Sequence, residues 1–250
     1  MDVAVAAYAF APGLTLGSFL NVVAARVPLR RSVVRPASAC MSCGTELAAR
    51  DNIPVLSWAL LRGRCRHCAG RIPLRYPAVE VATAALLAAC VLVFGLTLDA
   101  MLAAFFCAVL VAISAVDFEH RIVPNRIVIP ATALLLPLHT LVDPTPEWAL
   151  GAFGAALFLF VAVLAYPAGM GMGDVKLALF MGAMLGKTVA VALMLGMLSA
   201  LVPSLFLFVR YGPKARKMKI PFAPFLALGS LAALFAGEVL LDAYLGLFGA

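Results

Sequence analysis

The chain has 250 residues, of which 64% are hydrophobic and 12% are charged, and its mean hydropathy is +1.06. Soluble domains are about 45–50% apolar and about 25% charged, so this composition excludes a soluble protein and predicts an integral membrane protein. The net charge of +7 would suit nucleic-acid binding, but the basic residues flank apolar runs; the positive-inside bias explains them there, and no nucleic-acid partner is expected.

The apolar runs predict an all-α polytopic membrane protein with about eight transmembrane helices. A helical span needs roughly 20 apolar residues. A spanning β-barrel would alternate polar and apolar residues, whereas this chain has long blocks of Ala, Leu, Val and Phe. Six of the predicted spans cover residues 3–25, 76–96, 100–116, 127–142, 148–168 and 222–247.

The remaining long run, residues 177–209, carries only one charge, on Lys187. A single helix of this length would extend about 50 Å, well beyond a hydrocarbon core of about 30 Å. We therefore predict two short spans that turn at Gly186 and Lys187.

The basic residues orient these spans in the bilayer. Ten arginines lie within residues 26–75, and five basic residues lie within residues 210–219. The positive-inside bias places both segments in the cytoplasm, and eight crossings leave both chain ends outside, with Asp2 near the outer face. The first span has no basic segment before it and is too long for the apolar part of a signal peptide, so we expect it to be retained.

This topology divides the chain into three parts. Residues 1–25 are the first transmembrane helix, residues 26–75 are a basic cytoplasmic loop, and residues 76–250 are a domain of seven helices.

The cytoplasmic loop contains four cysteines in the pattern C-x2-C-x21-C-x2-C, namely Cys40, Cys43, Cys65 and Cys68. Paired thiolates on tight turns build tetrahedral zinc sites, and four thiolates leave no open position for a catalytic water. Disulfides are the alternative, but the cytoplasm keeps thiols reduced. We predict a structural Zn²⁺ site that stabilises a loop with little apolar core. Cys90 and Cys107 fall inside spans and are expected to be packing residues.

Two aspartates lie where apolar runs meet short polar turns on the predicted cytoplasmic side, Asp117 and Asp174. Ionisable groups at a membrane span are costly and are candidates for function. Two carboxylates that share a proton can activate water, one as base and the other as acid. Each aspartate also has an alternative, purely structural role. Asp117 would be a residue that ends a helix, and Asp174 would be a helix cap.

The segment before Asp174 has glycines at alternate positions, Gly169, Gly171 and Gly173. Such a pattern indicates backbone that bends sharply or is approached closely, which a simple cap does not require. Lys176, two residues further on, is placed to tune or pair with the carboxylate. Glu80, near the start of the second span, is a second candidate site residue, and its alternative role is to pair with an arginine such as Arg75.

The motifs together resemble the bacterial type IV prepilin peptidases, the leader peptidases and N-methyltransferases of type IV pilus and type II secretion systems. The resemblance rests on the four cysteines and on four segments in the family order: GSFLNVVAARVP at 17–28, YPAVE at 76–80, DFEHRIVPN at 117–125 and GMGDVKL at 171–177. VPN stands where the family usually has IPN.

The resemblance implies an intramembrane aspartic endopeptidase whose catalytic pair is Asp117 and Asp174. Its partner would be a prepilin or pseudopilin with a short basic leader and a hydrophobic helix, cleaved at the cytoplasmic face of the bacterial inner membrane. The new N-terminal amine would then be methylated from S-adenosylmethionine. In the family, residues 17–28 and the cysteine loop are associated with methylation.

Further candidates for binding substrate or cofactor are Gly17, Asn21, Glu80 and Lys176. A homo-oligomer is compatible with this prediction. Two other functions remain open at this point. One is a proton-coupled transporter or channel that uses the same two aspartates, and the other is a membrane-anchored zinc module that only binds partners.

Overall fold

The computed structural model describes residues 3–166, 170–212, 214, 218 and 220–247. Within these ranges the regular secondary structure is helical apart from two isolated β-bridges in the loop after the first helix. The helices are α1 (Val3–Arg26), α2 (Leu56–Leu60), α3 (Arg75–Phe94), α4 (Leu98–His120), α5 (Asn125–Val142), α6 (Glu147–Ala165), α7 (Met172–Leu185), α8 (Val189–Tyr211) and α9 (Ala223–Leu247). The predicted all-α architecture is confirmed.

Some sequence predictions lie outside the described residues. They concern the outward Asp2, the end of the fifth span at Ala168, the first glycine of the triplet, Gly169, and three members of the second basic cluster, Arg216, Lys217 and Lys219.

Seven helical segments of the described chain are long and apolar enough to cross a membrane. The longest, Met172–Tyr211, has 40 residues and contains both α7 and α8. A 3-10 turn at Gly186–Thr188 separates the two, with Gly186 at φ +52. From this turn α8 runs back along α9, since Thr188 lies against Gly237 and Gly196 lies against Leu226. The predicted turn at Gly186 and Lys187 is therefore confirmed.

The helix ends differ from the predicted spans by a few residues. For example, α4 continues to His120, beyond the predicted end at Val116, and α5 begins at Asn125, before the predicted start at residue 127. Hydropathy marks only the apolar part of a helix, whereas backbone hydrogen bonding continues into the polar residues that follow.

The chain forms two compact units, Met1–Ala115 and Val116–Ala250, called here the N-terminal and C-terminal units. In the N-terminal unit α1 packs antiparallel to α3, because Gly13 lies against Ala84 and Gly17 lies against Glu80. Glycines four residues apart on one face let the two backbones approach closely, as in many membrane helix pairs. The tetracysteine loop connects the ends of these two helices.

In the C-terminal unit α7 is the central helix and packs on α5, α6 and α9. Nine of its 14 residues are buried, which fits a helix that is apolar on all sides. Its last turns approach the start of α6, where a Cβ on Gly182 would overlap the backbone of Gly151. The glycines therefore set the distance between α6 and α7.

We expect the Gly182→Ala substitution to lower the free energy of unfolding by about 1–3 kcal/mol, because the added methyl group overpacks this contact. Gly154→Ala is the matched control, since a Cβ at this helical position meets nothing within 4 Å. Its effect should be neutral or slightly stabilising, by up to about 1 kcal/mol. Equilibrium unfolding in mixed micelles measures both. Equal stability of the two variants would contradict this packing.

Candidate functional site

Asp117 lies in the last turn of α4 and is only 5% exposed. Its Oδ2 accepts a hydrogen bond of 3.0 Å from the backbone N–H of Ala223, the first residue of α9. The N-terminus of a helix carries partial positive charge and unsatisfied N–H groups, so it stabilises a carboxylate there. The fold thus provides a buried acid with a fixed orientation.

Asp174 lies in the first turn of α7 and is partly exposed. Its Oδ2 accepts a hydrogen bond of 3.2 Å from the N–H of Gly171, just before the helix. The helix-cap role that the sequence offered as an alternative is therefore present. The capping bond uses only one acceptor position, and a carboxylate has about four. Asp174 thus retains the capacity to bind a water molecule or a substrate group.

The turns that carry the two aspartates meet at one end of the C-terminal unit. A Cβ on Gly173 would lie 3.0 Å from the Cβ of Val123, in the turn that follows α4. The carboxyl groups of Asp117 and Asp174 are near enough to interact electrostatically. Among the alternating glycines, Gly173 therefore allows the two turns to approach each other closely. The two carboxyl groups come from helices whose ends lie at the same level, since α4 ends there and α7 begins there.

Lys176 has a different contact from the one suggested by its position in the sequence. Its ammonium Nζ donates a hydrogen bond of 2.9 Å to Oδ1 of Asn125, the first residue of α5. This bond links the start of α7 to the start of α5. Lys176 thereby helps to hold the two turns together.

An open, apolar groove of about 410 Å³ lies between α5 and α7. Lys176 is one of its lining residues, and the others are aliphatic side chains, one proline and one threonine, including Val128, Leu136 and Leu179. Lys176 is two residues from Asp174 in α7, so the end of the groove at Lys176 is the end nearer to Asp174 along this helix.

The four predicted metal ligands lie together in the N-terminal unit, and all four Sγ atoms are within 4.8 Å of one another. Each Cys-x2-Cys pair sits in a knuckle closed by a β-bridge, Ala39 with Glu46 and Arg64 with Arg71. In both knuckles the backbone N–H of the first cysteine donates a hydrogen bond to the carbonyl of the fifth residue after it. The carbonyl of the same cysteine accepts one from the N–H of the fourth residue after it. The two pairs are thus similarly built.

The spacing of the sulfur atoms fits a tetrahedral ion. Zn–S bonds of about 2.3 Å give a tetrahedron with edges of about 3.8 Å, and the Sγ atoms of Cys40 and Cys68 are 3.8 Å apart. Outside the cluster, Arg66 donates from Nε and Nη2 to Oδ1 of Asp51, at 2.9 and 2.7 Å. This ion pair links the knuckle that contains Cys65 and Cys68 to the 3-10 turn at Ala49–Asn52.

The charge state of the sulfur atoms also suits a cation. Backbone N–H groups donate to Cys40 and Cys65 and lower the pKa of both thiols. The pKa of Cys68 is raised to about 11: the Gly70 N–H lowers it, but the adjacent Cys43 sulfur and burial raise it more. Four sulfur atoms this close resist losing every proton unless a cation offsets their repulsion. These residues could therefore hold a divalent metal ion.

Three further candidates, Gly17, Asn21 and Glu80, also lie together in the N-terminal unit. A Cβ on Gly17 would lie 2.6 Å from the Cα of Glu80, and Asn21 Nδ2 donates to the Tyr76 carbonyl at 3.1 Å. Glu80 Oε2 accepts a hydrogen bond of 2.7 Å from the N–H of Val55. These contacts join α1, α3 and the tetracysteine loop.

Sequence reasoning missed the partners of these groups. Ala223 is 106 residues from Asp117 in the chain, and it donates through its backbone N–H, which cannot be recognised from the residue type. Val55 likewise contributes its backbone to Glu80. The sequence does contain a signal for the start of α9, because a proline near the first helical position, here Pro224, is typical of a helix start. This signal does not identify which residue the start of the helix contacts.

Two protein families match the chain. Residues 12–94 match the Bacterial Peptidase A24 N-terminal domain, and residues 104–208 match the Type IV leader peptidase family. No solved structure matches the chain.

Several curated relatives carry the name Prepilin leader peptidase/N-methyltransferase. The one from Bacillus subtilis is 36% identical over 239 residues, which are 93% of this chain and 95% of the relative. The one from Burkholderia pseudomallei (strain 1026b) is 34% identical, over 92% of this chain and 85% of the relative. The one from Myxococcus xanthus is 39% identical, over 84% of this chain and 66% of the relative.

Proposed function

The chain belongs to the type IV leader peptidase family, and on that premise we propose that it removes the leader of prepilins with Asp117 and Asp174 as the catalytic pair. The observation that carries the proposal is the position of the two carboxyl groups. Asp117 accepts from the N-terminus of α9 and Asp174 lies in the first turn of α7, and the turns beside them meet where Gly173 lies against Val123.

The chemistry proceeds with one carboxyl group protonated and the other ionised, because two adjacent carboxylates do not both ionise easily. The ionised group takes a proton from water, whose oxygen attacks the carbonyl carbon of the scissile bond. The protonated group gives its proton to the carbonyl oxygen. The first group then passes its new proton to the leaving nitrogen as the C–N bond breaks. One hydroxyl of the diol returns a proton to the second group, which leaves a carboxyl product and restores both acids to their starting state.

The substrate is a prepilin or pseudopilin whose hydrophobic helix enters from the bilayer. The apolar groove between α5 and α7 supports this, since its aliphatic walls match such a helix and Lys176 marks the end nearest the acids. A helix can remain in apolar surroundings along the groove while only the scissile bond reaches water. The basic loop and the positive-inside bias support a reaction at the cytoplasmic face of the inner membrane.

The second activity is methylation of the new N-terminal amine. S-adenosylmethionine, when bound, supplies an activated methyl group. The two carboxyl groups of the C-terminal unit belong to the hydrolytic step, so the methyl transfer calls for a different site. The tetracysteine cluster holds Zn²⁺ in a structural role, because four thiolates leave no position for water or substrate.

Mass spectrometry of a co-expressed prepilin tests both activities. We expect the pilin to lose its leader and to gain the mass of one methylene group at its new N-terminus. A strain that lacks the chain is the control, in which the prepilin should keep its leader. An unchanged prepilin in both strains, together with proton flux through the purified chain in liposomes, would favour the transporter function instead.

A further inference from the structure

A second open groove, of about 780 Å³, lies between α6 and α8 in the C-terminal unit. It is at the end of α7 that is opposite Asp174, because Gly186 and Lys187, in the turn after α7, are among its lining residues. Ligand pockets usually measure about 300–1,000 Å³, so the groove has the size of a binding site. The proposed cleavage and methylation do not use it.

The body of the groove is apolar. Leu150 and Phe158 of α6 and Met194 of α8 line it, and all three side chains are exposed. Space is open beside Gly154, since a Cβ there would meet nothing within 4 Å. Methionine adapts to irregular partners, so a flexible hydrocarbon chain matches these walls, and a bilayer surrounds membrane helices with such chains.

One end of the groove is charged. Both α6 and α8 begin here, so this end lies where the hydrocarbon region gives way to the lipid headgroups. Among the described lining residues, Glu147 and Lys187 carry charge. Oε1 of Glu147 accepts a hydrogen bond of 3.1 Å from the backbone N–H of Lys187, which fixes the carboxyl group at the mouth of the groove.

Carboxylates outnumber ammonium groups at this mouth. Lys187 Nζ is 3.0 Å from Oε2 of Glu238, and Glu147 and Asp242 are near enough to interact with the same ammonium electrostatically. The Lys187 and Glu238 side chains are 52% and 63% exposed, and exposed ion pairs contribute little to stability. A ligand that carries both a cation and an anion can therefore replace this pair with contacts of its own, and its cation offsets the excess of negative charge.

We propose that this groove binds phosphatidylethanolamine, with an acyl chain between α6 and α8, the phosphate at Lys187 and the ammonium at Glu147 and Glu238. The headgroup is chosen by its chemistry. Its primary ammonium donates hydrogen bonds to carboxylates, as a lysine does, whereas the quaternary ammonium of phosphatidylcholine has no N–H to donate. The anionic headgroup of phosphatidylglycerol lacks the cation and meets the excess of acids. This inference is independent of the proposed function.

Native mass spectrometry of the full-length chain in detergent measures the binding. The probes are phosphatidylethanolamine, phosphatidylcholine and phosphatidylglycerol with identical acyl chains. We expect one ethanolamine lipid per chain, with a Kd at least about fivefold below those of the other two. Glu147→Gln keeps an acceptor oxygen for the Lys187 N–H and removes the charge, so it should reduce this preference to about twofold or less. Asp99→Asn removes an exposed acid of the N-terminal unit and should leave the preference unchanged.

Gly154→Leu tests the groove itself, because the added side chain enters the open space between α6 and α8 and should weaken the binding of all three lipids. Cooperative thermal unfolding reports whether each variant is folded. Equal affinity of the wild type for the three lipids would overturn the headgroup assignment, and unchanged binding in folded Gly154→Leu would overturn the site. If Gly154→Leu converted dimers to monomers with lipid binding unchanged, the groove would be an interface between copies of the chain and the inference would be wrong. Prepilin cleavage enters none of these measurements, so the proposed function stands or fails separately.

Discussion

The Asp117→Asn and Asp174→Asn variants are each expected to lose prepilin cleavage by at least about 10³-fold, since each removes the acid or base of a two-carboxyl mechanism. Asparagine keeps the shape of the side chain and an acceptor oxygen, so the bonds from Ala223 and Gly171 can persist. The fold should therefore be retained. The measurement is cleavage of a purified prepilin by each variant in lipid vesicles, followed by mass spectrometry.

Asp143→Asn is the matched control for these variants. Asp143 is exposed at the far end of α5 from Asn125 and the two acids, so its replacement should leave the rate within about twofold, as expected for a surface change. A pilin supplied without its leader separates the two activities, because Asp174→Asn should still methylate it. Cleavage at the wild-type rate by either Asp117→Asn or Asp174→Asn would rule out the two-aspartate mechanism.

The sequence predicted the helices well because membrane helices are constrained by length and hydropathy. A run of residues 177–209 is too long for one crossing, and Gly186 marks the turn, so the two helices α7 and α8 were predictable. The tetracysteine cluster was predictable for a similar reason, since close spacing in the chain enforces closeness in space within each Cys-x2-Cys pair.

The contacts that position the candidate site were not predictable in the same way. Asp117 is held by the backbone of Ala223 and Glu80 by the backbone of Val55. Every residue has a backbone N–H, so the sequence gives no sign of which one will face a distant carboxylate. Lys176 shows the same limit for side chains: its charge suggested a carboxylate partner, whereas it donates to Asn125.

The sequence also presented helix capping and catalysis as competing roles for Asp174, and the structure makes them compatible. The bond from Gly171 uses one acceptor position and fixes the side chain at the start of α7. A side chain fixed in this way loses little conformational freedom when substrate arrives, which favours catalysis. The capping bond therefore supports the proposed catalytic role of Asp174 by orienting its carboxyl group.

Removal of zinc is expected to unfold the tetracysteine loop while the membrane helices remain folded. The loop has almost no buried apolar side chains of its own, since Cys65 is its only buried hydrophobic residue among those described. Binding of structural zinc contributes on the order of 10 kcal/mol in small metal-dependent domains, and little else here would replace it. Limited proteolysis with trypsin measures the change, because ten arginines lie within residues 26–75.

The wild type should contain close to one zinc ion per chain and should resist trypsin in this loop, whereas Cys40→Ser and Cys65→Ser should lose the metal and be cut there. Cys107→Ala is the control, because Cys107 is buried in α4 next to Cys90, away from the cluster. Its zinc content should match that of the wild type. Equal zinc content in Cys65→Ser and the wild type would overturn the assignment. If the metal left and the loop still resisted trypsin, the ion would not be what stabilises the loop.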